Sequence, residues 1–308
     1  MIKNKFKNYA LILIFTAIFT LGSTLPVGIV SAFFSAIVIS LLGYSVIKYH
    51  YYFVGLVSAC ILAFYTAFTK DLSSGLSLGI ETILYGLTLG IGYNMKLSEF
   101  KTVGLITFIY TLFVVINVKF SGIGDNLRQN LAFSMESVYS LYQGQISQTD
   151  FKTLISTLLD VFVRFLPSFI IISGICFGMW NFWIFKKLLK IAKTDTSTYI
   201  NFRDLHADKS ISISYLIISF IGFITPGGSY LGDALANVIS VASFVFFIFG
   251  LSYVDFVLTL KMKNNLLKRI ILIGLIFSSL PLVGIPFVLL SVLGAMDGCF
   301  NYRNKFNK

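Results

Sequence analysis

The chain has 308 residues, of which 56% are hydrophobic and only 12% are charged. Soluble domains carry about 25% charged residues, so this composition excludes a soluble enzyme, a nucleic-acid-binding module and a disordered protein. The formal net charge of +11 therefore bears on membrane orientation, because Lys and Arg collect on the cytoplasmic side of membrane proteins.

Apolar stretches along the chain predict transmembrane helices, each of which needs about 20 mostly apolar residues. Six stretches meet or approach this length: residues 51–69, 76–94, 103–118, 167–185, 211–225 and 233–254. Two uncharged blocks, 8–47 and 270–296, are each interrupted by a similar run, with Pro26 and Gly28 in the first and Pro281 and Gly284 in the second. Such runs favour tight turns between two helices.

These stretches predict an all-α, polytopic transmembrane bundle that forms a single membrane domain over residues 1–308. It has nine or ten segments, depending on whether block 270–296 crosses once or twice, with Pro/Gly-broken hairpins at both ends. When both blocks are counted as hairpins, nineteen of the 24 Lys and Arg residues fall on one side. The positive-inside rule then predicts a multi-pass protein of the cell membrane with both termini in the cytoplasm.

Two regions outside the apolar stretches have distinct patterns. Residues 119–166 predict an external amphipathic helical insertion, with a helix starting near Asp150 and a new span starting at Pro167. Residues 186–210 predict a basic cytoplasmic loop, in which four lysines favour contact with anionic lipids of the cytoplasmic leaflet. Docking of a membrane or ATPase partner subunit on that loop is the alternative. The lysines are Lys186, Lys187, Lys190 and Lys193.

No motif in the sequence predicts catalysis. Gly122, Gly124 and Asp125 match a short pattern of intramembrane aspartyl proteases, but that chemistry requires a second carboxylate, and the expected Tyr-Asp pair is missing. There is no His-Glu-x-x-His and no phosphate-binding loop, and the spacing of the three cysteines fits neither a disulfide framework nor a zinc site. The prediction is a protein that is not an enzyme, with no catalytic residues, no metal, no cofactor and no nucleic-acid partner.

Two sets of polar residues are candidates for a substrate site or polar cavity. Glu81 lies inside an apolar span, where a carboxylate is costly and is usually functional, and Tyr85 and Thr88 continue its stripe at helical spacing. Glycines form a second stripe on the same span and predict close helix contact. The alternative for Glu81 is a side chain that reaches back to the membrane surface.

The second set lies in the run from Thr225 through Ser229 to Asp233, which interrupts two apolar stretches. Broken helices of this kind often line transporter sites. The alternative is a plain turn in which Asp233 is the N-cap of the following helix.

The C-terminal run contains Gly294 and Asp297, followed by Phe300 and Arg303. This motif, with the overall layout of the apolar segments, resembles the YybS-like family of predicted bacterial membrane proteins. The resemblance implies a family without an assigned function, and a distant similarity to the substrate-binding subunits of energy-coupling-factor transporters. No ligand-binding residue of those subunits has a matching motif here.

Two functions remain open at this point. The first is a non-enzymatic subunit that binds or transports a small molecule, with its energy supplied by a partner or a gradient. The second is a membrane scaffold for cell-envelope growth, division or sporulation. An intramembrane enzyme is a third interpretation, which the sequence favours least because it contains no complete set of catalytic residues.

Overall fold

The structure is a computed structural model that describes residues 2–24, 28–69, 72–120, 147–197, 199–279 and 284–306. Within these residues it contains ten helices of 14 or more residues, one 3₁₀ turn at Phe202–Asp204 and a short C-terminal helix. The helices are α1 (Ile2–Ser23), α2 (Gly28–Lys48), α3 (Tyr51–Phe68), α4 (Leu72–Asn94), α5 (Glu99–Phe120), α6 (Gln148–Ile191), α7 (Lys209–Ile224), α8 (Tyr230–Lys261), α9 (Asn265–Ser278), α10 (Ile285–Phe300) and α11 (Tyr302–Phe306). The predicted all-α polytopic bundle is confirmed.

Six helices in the described part of the chain are long and apolar enough to cross a membrane, and Tyr9–Ser23 of α1, α7 and α10 are shorter apolar helices. Helices suit this setting because a helix satisfies its own backbone hydrogen bonds, which lipid does not do. Many large apolar side chains point away from the protein interior, such as Phe108 and Phe223, which are 66% and 88% exposed. Side chains of this kind fit a surface that faces lipid.

Both Pro/Gly-broken blocks form two separate helices. The first block gives α1 and α2, and the second gives α9 and α10. The breaks themselves, residues 25–27 and 280–283, lie outside the described residues. Within the described residues, the second block is therefore two helices.

The structure around Pro167 differs from the sequence prediction for the middle of the chain. The sequence predicted a new helix starting at Pro167, but Pro167 lies inside α6, which runs unbroken for 44 residues. This helix begins at Gln148, and the Ser147 hydroxyl caps it by accepting from the Asp150 amide at 3.1 Å. Residues 148–166 of the predicted external insertion are thus the first part of α6. The Gly-x-Gly-Asp run of that insertion lies outside the described residues. The predicted basic loop is also partly helical, since α6 continues to Ile191.

The chain divides into two compact units, which are described separately. The first contains Met1–Gly124 and Ser173–Tyr199, and the second contains Asp125–Ile172 and Ile200–Lys308.

In the first unit the helices run up and down, and contacts define two ends. Tyr9 of α1 packs on Tyr49, with ring centres 4.8 Å apart, and Tyr93 donates to the Asp195 carbonyl at 2.9 Å. At the opposite end, the Ser23 hydroxyl donates to Tyr65 at 2.8 Å. The first of these ends carries most of the basic residues of the unit: Lys48, Lys96, Lys101, Lys186, Lys187, Lys190 and Lys193.

In the second unit α8 is the central helix, and α7, α9 and α10 all pack against it. Helices α8 and α10 approach each other closely, because a Cβ at Gly294 would overlap the Phe246 carbonyl oxygen and one at Gly250 would overlap the Leu290 carbonyl oxygen. Small residues permit this contact, as is common between membrane helices. Gly294 of the C-terminal motif is thus a packing residue.

Candidate functional site

The first candidate site is built around Glu81 on α4. Its carboxylate accepts hydrogen bonds from the Ser77 hydroxyl at 3.2 Å, the Tyr85 hydroxyl at 3.4 Å and the Asn117 amide nitrogen at 3.4 Å. Ser77 and Tyr85 lie four residues on either side of Glu81, so the helical period places all three on one face. Asn117 belongs to α5, which runs alongside α4.

Aromatic side chains form the second part of this site. Tyr85 is 3% exposed and its ring meets Phe177 of α6 edge-on, with ring centres 5.0 Å apart. Tyr110 of α5 lies on the other side, 5.3 Å from Phe177, and accepts a weak hydrogen bond from Ser173 at 3.4 Å. Three helices thus bring a carboxylate, two tyrosine hydroxyls and three aromatic rings together.

On the face of α4 away from Glu81, the glycine stripe lets this helix pack closely against α2 and α3. A Cβ at Gly86 would crowd Leu42 and the Ile39 carbonyl of α2, and a Cβ at Gly75 would crowd the end of α3. The predicted role of these glycines in close helix contact is confirmed. Because the glycines pack against α2 and α3, the Glu81 stripe faces α5 and α6.

Thr88 was predicted to belong to the Glu81 stripe, and it has no hydrogen bond to Glu81 among the described residues. Its hydroxyl donates to the Leu84 carbonyl of its own helix at 2.8 Å. Asn117 was not among the predicted site residues, because an amide near the end of an apolar span gives no local signal.

The chemistry of the Glu81 site follows from these groups. An ionised carboxylate accepts hydrogen bonds, and the partners it has among the described residues are neutral. Aromatic ring faces attract cations. The arrangement therefore suits a ligand with a positive charge or several hydrogen-bond donors. Within the described residues, no group of three or more His, Cys, Asp or Glu side chains could hold a metal ion.

The second predicted set, Thr225, Ser229 and Asp233, lies in the second unit at the start of α8. Ser229 is the N-cap of α8, since its hydroxyl accepts from the Gly232 amide at 3.0 Å. Asp233 is therefore not the N-cap. It accepts from the Gly228 amide at 3.3 Å and pairs with Arg164 of α6, also at 3.3 Å. Thr225 donates to the Ile221 carbonyl of its own helix.

Next to this ion pair, Asn237 of α8 reaches the backbone of α6 beside Pro167. Its amide nitrogen donates to the Arg164 carbonyl at 2.9 Å, and its oxygen accepts from the Ser168 amide at 3.1 Å. Asn237 was not among the residues predicted from the sequence. The sequence gives one signal for such a contact, which is the proline inside an apolar helix. A proline leaves backbone groups of its helix without a hydrogen-bond partner, and a side chain from a neighbouring helix can bond them.

The C-terminal motif forms a buried polar cluster in the second unit. Arg303 and Asp297 are 7% and 3% exposed, and the guanidinium donates to the carboxylate at 2.7 Å. The same guanidinium donates to the carbonyl oxygens of Arg203 and Leu205 and to the Ser252 hydroxyl. Arg303 therefore links the segment 203–205, which precedes α7, to helices α8 and α10. Phe300 is 57% exposed and stacks on Tyr302.

Comparison with known proteins gives two matches. The family described as "Predicted membrane protein (DUF2232)" matches residues 13–297. The "Uncharacterized protein YybS" of Bacillus subtilis (strain 168) is 26% identical over 199 residues, which cover 63% of this chain and 63% of that protein. The aligned part is thus a little under two thirds of the length of the relative. No solved structure matches the chain.

These matches confirm the YybS-like resemblance and a multi-pass membrane location. The similarity to energy-coupling-factor subunits stays a prediction. Since the family match covers nearly the whole chain, this protein belongs to the DUF2232 family of predicted membrane proteins.

Proposed function

We propose that this protein is a non-enzymatic membrane subunit that binds or transports a small molecule at the Glu81 site. The observation that carries the proposal is a half-buried carboxylate, inside an apolar span, with neutral partners from its own helix and from α5. Charged residues within membrane spans are costly and usually mark ligand or ion pathways.

The chemistry of the site favours a ligand with an organic cation, such as an amine. Such a ligand supplies the positive charge that the partners Ser77, Tyr85 and Asn117 lack. Tyr85, Tyr110 and Phe177 offer ring faces, and cation–π attraction is strongest where water is excluded. The predicted similarity to energy-coupling-factor subunits implies the same class of role, with the energy supplied by a partner or a gradient.

The experiment compares ligand-induced thermal stabilisation of the purified full-length protein with that of two variants. The probes are tetramethylammonium, spermidine and arginine, with glucose and glutamate as neutral and anionic comparisons. Glu81→Gln removes the charge and keeps the shape of the side chain. Thr88→Ala is the matched control, because Thr88 lies on the same helix and its hydroxyl donates to the Leu84 carbonyl of its own backbone.

We expect at least one cationic probe to raise the melting temperature of the wild type and of Thr88→Ala, with no effect on Glu81→Gln. Two results would overturn the proposal. The first is equal stabilisation of all three proteins, and the second is no stabilisation of the wild type by any cationic probe.

We further infer that both termini lie in the cytoplasm. In the first unit, α1 starts at the end that carries Lys48, Lys96 and the α6 lysines. In the second unit, Arg303, just before the C-terminus, contacts the Arg203 carbonyl, and Lys268 pairs with Asp255 at 3.0 Å. Basic residues beside membrane helices favour the cytoplasmic side.

A further inference from the structure

Two tryptophans and two lysines form one stripe near the C-terminal end of α6. Trp180 and Trp183 stack with ring centres 5.5 Å apart, and the Lys187 ammonium lies 3.5 Å from the centre of the Trp183 ring. Lys190 follows three residues after Lys187. Spacings of three and four residues place all four side chains on one helical face. We call this set, Trp180, Trp183, Lys187 and Lys190, the Trp–Lys stripe.

The lysines of this stripe differ from their neighbour Lys186. The Lys186 ammonium pairs with Glu99 at 2.5 Å, and its side chain is only 17% exposed. Lys187 and Lys190 are exposed. The positive charge that is presented outward at this level of α6 therefore comes from the stripe.

The stripe lies where α6 changes from apolar to charged. Trp180 and Trp183 are 40% and 47% exposed, within an apolar run that ends at Phe185. Tryptophan is enriched at the membrane–water interface, at the level of the lipid headgroups. Lys187 and Lys190 are one to two turns further on, and a turn rises about 5.4 Å. The Lys187 side chain reaches back over the Trp183 ring, and this favours ammonium groups at the height of headgroup phosphates.

We propose that the Trp–Lys stripe binds the phosphate of an anionic phospholipid, with the acyl chains of the lipid along the two indole rings. The cation–π contact holds Lys187 over Trp183 and so keeps one ammonium in position. Lys190 supplies the second. A zwitterionic lipid is disfavoured because its own ammonium group is repelled by both lysines. This proposal does not depend on the Glu81 site.

The protein itself provides the probe for a test. The chain has two tryptophans, and both belong to the stripe, so all tryptophan fluorescence reports on this position. The full-length protein is reconstituted in phosphatidylcholine vesicles that contain brominated phosphatidylglycerol or brominated phosphatidylcholine at equal mole fraction. Bromine quenches tryptophan on contact, and the ratio of the two quenching curves gives the preference for the anionic lipid.

We expect the wild type to prefer phosphatidylglycerol by about five-fold for each participating lysine. In Lys187→Gln/Lys190→Gln this preference falls towards one. Lys261→Gln/Lys263→Gln is the matched control, because it removes two exposed lysines at the end of α8 and leaves the same net charge. It should retain the wild-type preference.

Two outcomes would overturn the proposal. One is equal quenching of the wild type by the two brominated lipids. The other is an equal loss of preference in both double variants, which would indicate general attraction by a basic protein. Quenching by brominated phosphatidylcholine checks that Lys187→Gln/Lys190→Gln is folded, since it should match the wild type when the tryptophans keep their depth.

Discussion

The side-chain nitrogen of Asn237 donates to the backbone carbonyl oxygen of Arg164 at 2.9 Å. The oxygen of the same amide accepts from the Ser168 amide at 3.1 Å. In a regular helix these two backbone groups are partners of each other, because the amide of one residue bonds the carbonyl four positions earlier. Asn237 therefore supports α6 at the turn that contains Pro167.

Asn237→Ala removes both of these partners. We expect the free energy of unfolding to fall by about 1–2 kcal/mol, measured by equilibrium unfolding in mixed micelles, because each hydrogen bond between membrane helices contributes about 0.6 kcal/mol on average and up to about 1.7 kcal/mol. Ser240→Ala is the matched control, one turn further along α8, since the Ser240 hydroxyl donates to the Ala236 carbonyl of its own helix. Equal losses in the two variants would contradict the role of Asn237.

Pro167→Ala tests the reason for that role. Alanine restores the amide hydrogen that proline lacks and lets the turn close as a regular helix. We therefore expect Asn237→Ala to cost less in a Pro167→Ala background than in the wild type. A double-mutant cycle measures this coupling, and additive effects would show that the two residues act separately.

The buried pair of Asp297 and Arg303 makes a larger contribution. Arg303→Gln leaves the Asp297 carboxylate buried without its cation, and loss of one partner of a buried pair costs about 3–5 kcal/mol. Arg203→Gln is the control, because Arg203 pairs with Asp204 at 3.8 Å and both side chains are almost half exposed. Such surface pairs contribute about 0–1 kcal/mol. The melting temperatures of the two variants should therefore differ clearly.

Gly294 and Gly274 offer a matched test of helix contact. Gly294→Ala places a methyl group against the Phe246 carbonyl, so α8 and α10 must move apart, whereas a Cβ at Gly274 meets nothing within 4 Å. Overpacking of this kind costs about 1–3 kcal/mol. We expect Gly274→Ala to match the wild type in equilibrium unfolding, and a similar result for Gly294→Ala would show that this contact relaxes without cost.

The inferred orientation has a direct test with fusion reporters. We expect green fluorescent protein to fluoresce when it is fused after Lys308, and alkaline phosphatase to be inactive there, because the first folds in the cytoplasm and the second outside it. A fusion after Lys119, at the opposite end of α5 from Glu99, should give the reverse pattern. Active phosphatase after Lys308 would exclude the inferred orientation.

Several features of this protein follow from local sequence. Apolar length predicted the membrane helices, and Pro26 and Pro281 predicted helix breaks, because a backbone in lipid must satisfy its own hydrogen bonds or turn. Helical period also placed Glu81 and Tyr85 together, since residues four apart share a face. The same period placed Thr88 on this stripe, where its hydroxyl donates to the Leu84 carbonyl of its own helix.

Only the tertiary structure determined which hydrogen-bond partners the site residues have on other helices. Asn117 meets Glu81 across 36 positions of the chain and Asn237 meets Arg164 across 73, and no local pattern encodes either contact. Pro167 is the clearest case, because the local rule starts a helix at proline, whereas a side chain from α8 supports an unbroken one. Apolar character and helical period are properties of neighbouring residues, but hydrogen bonds between helices depend on how the helices pack.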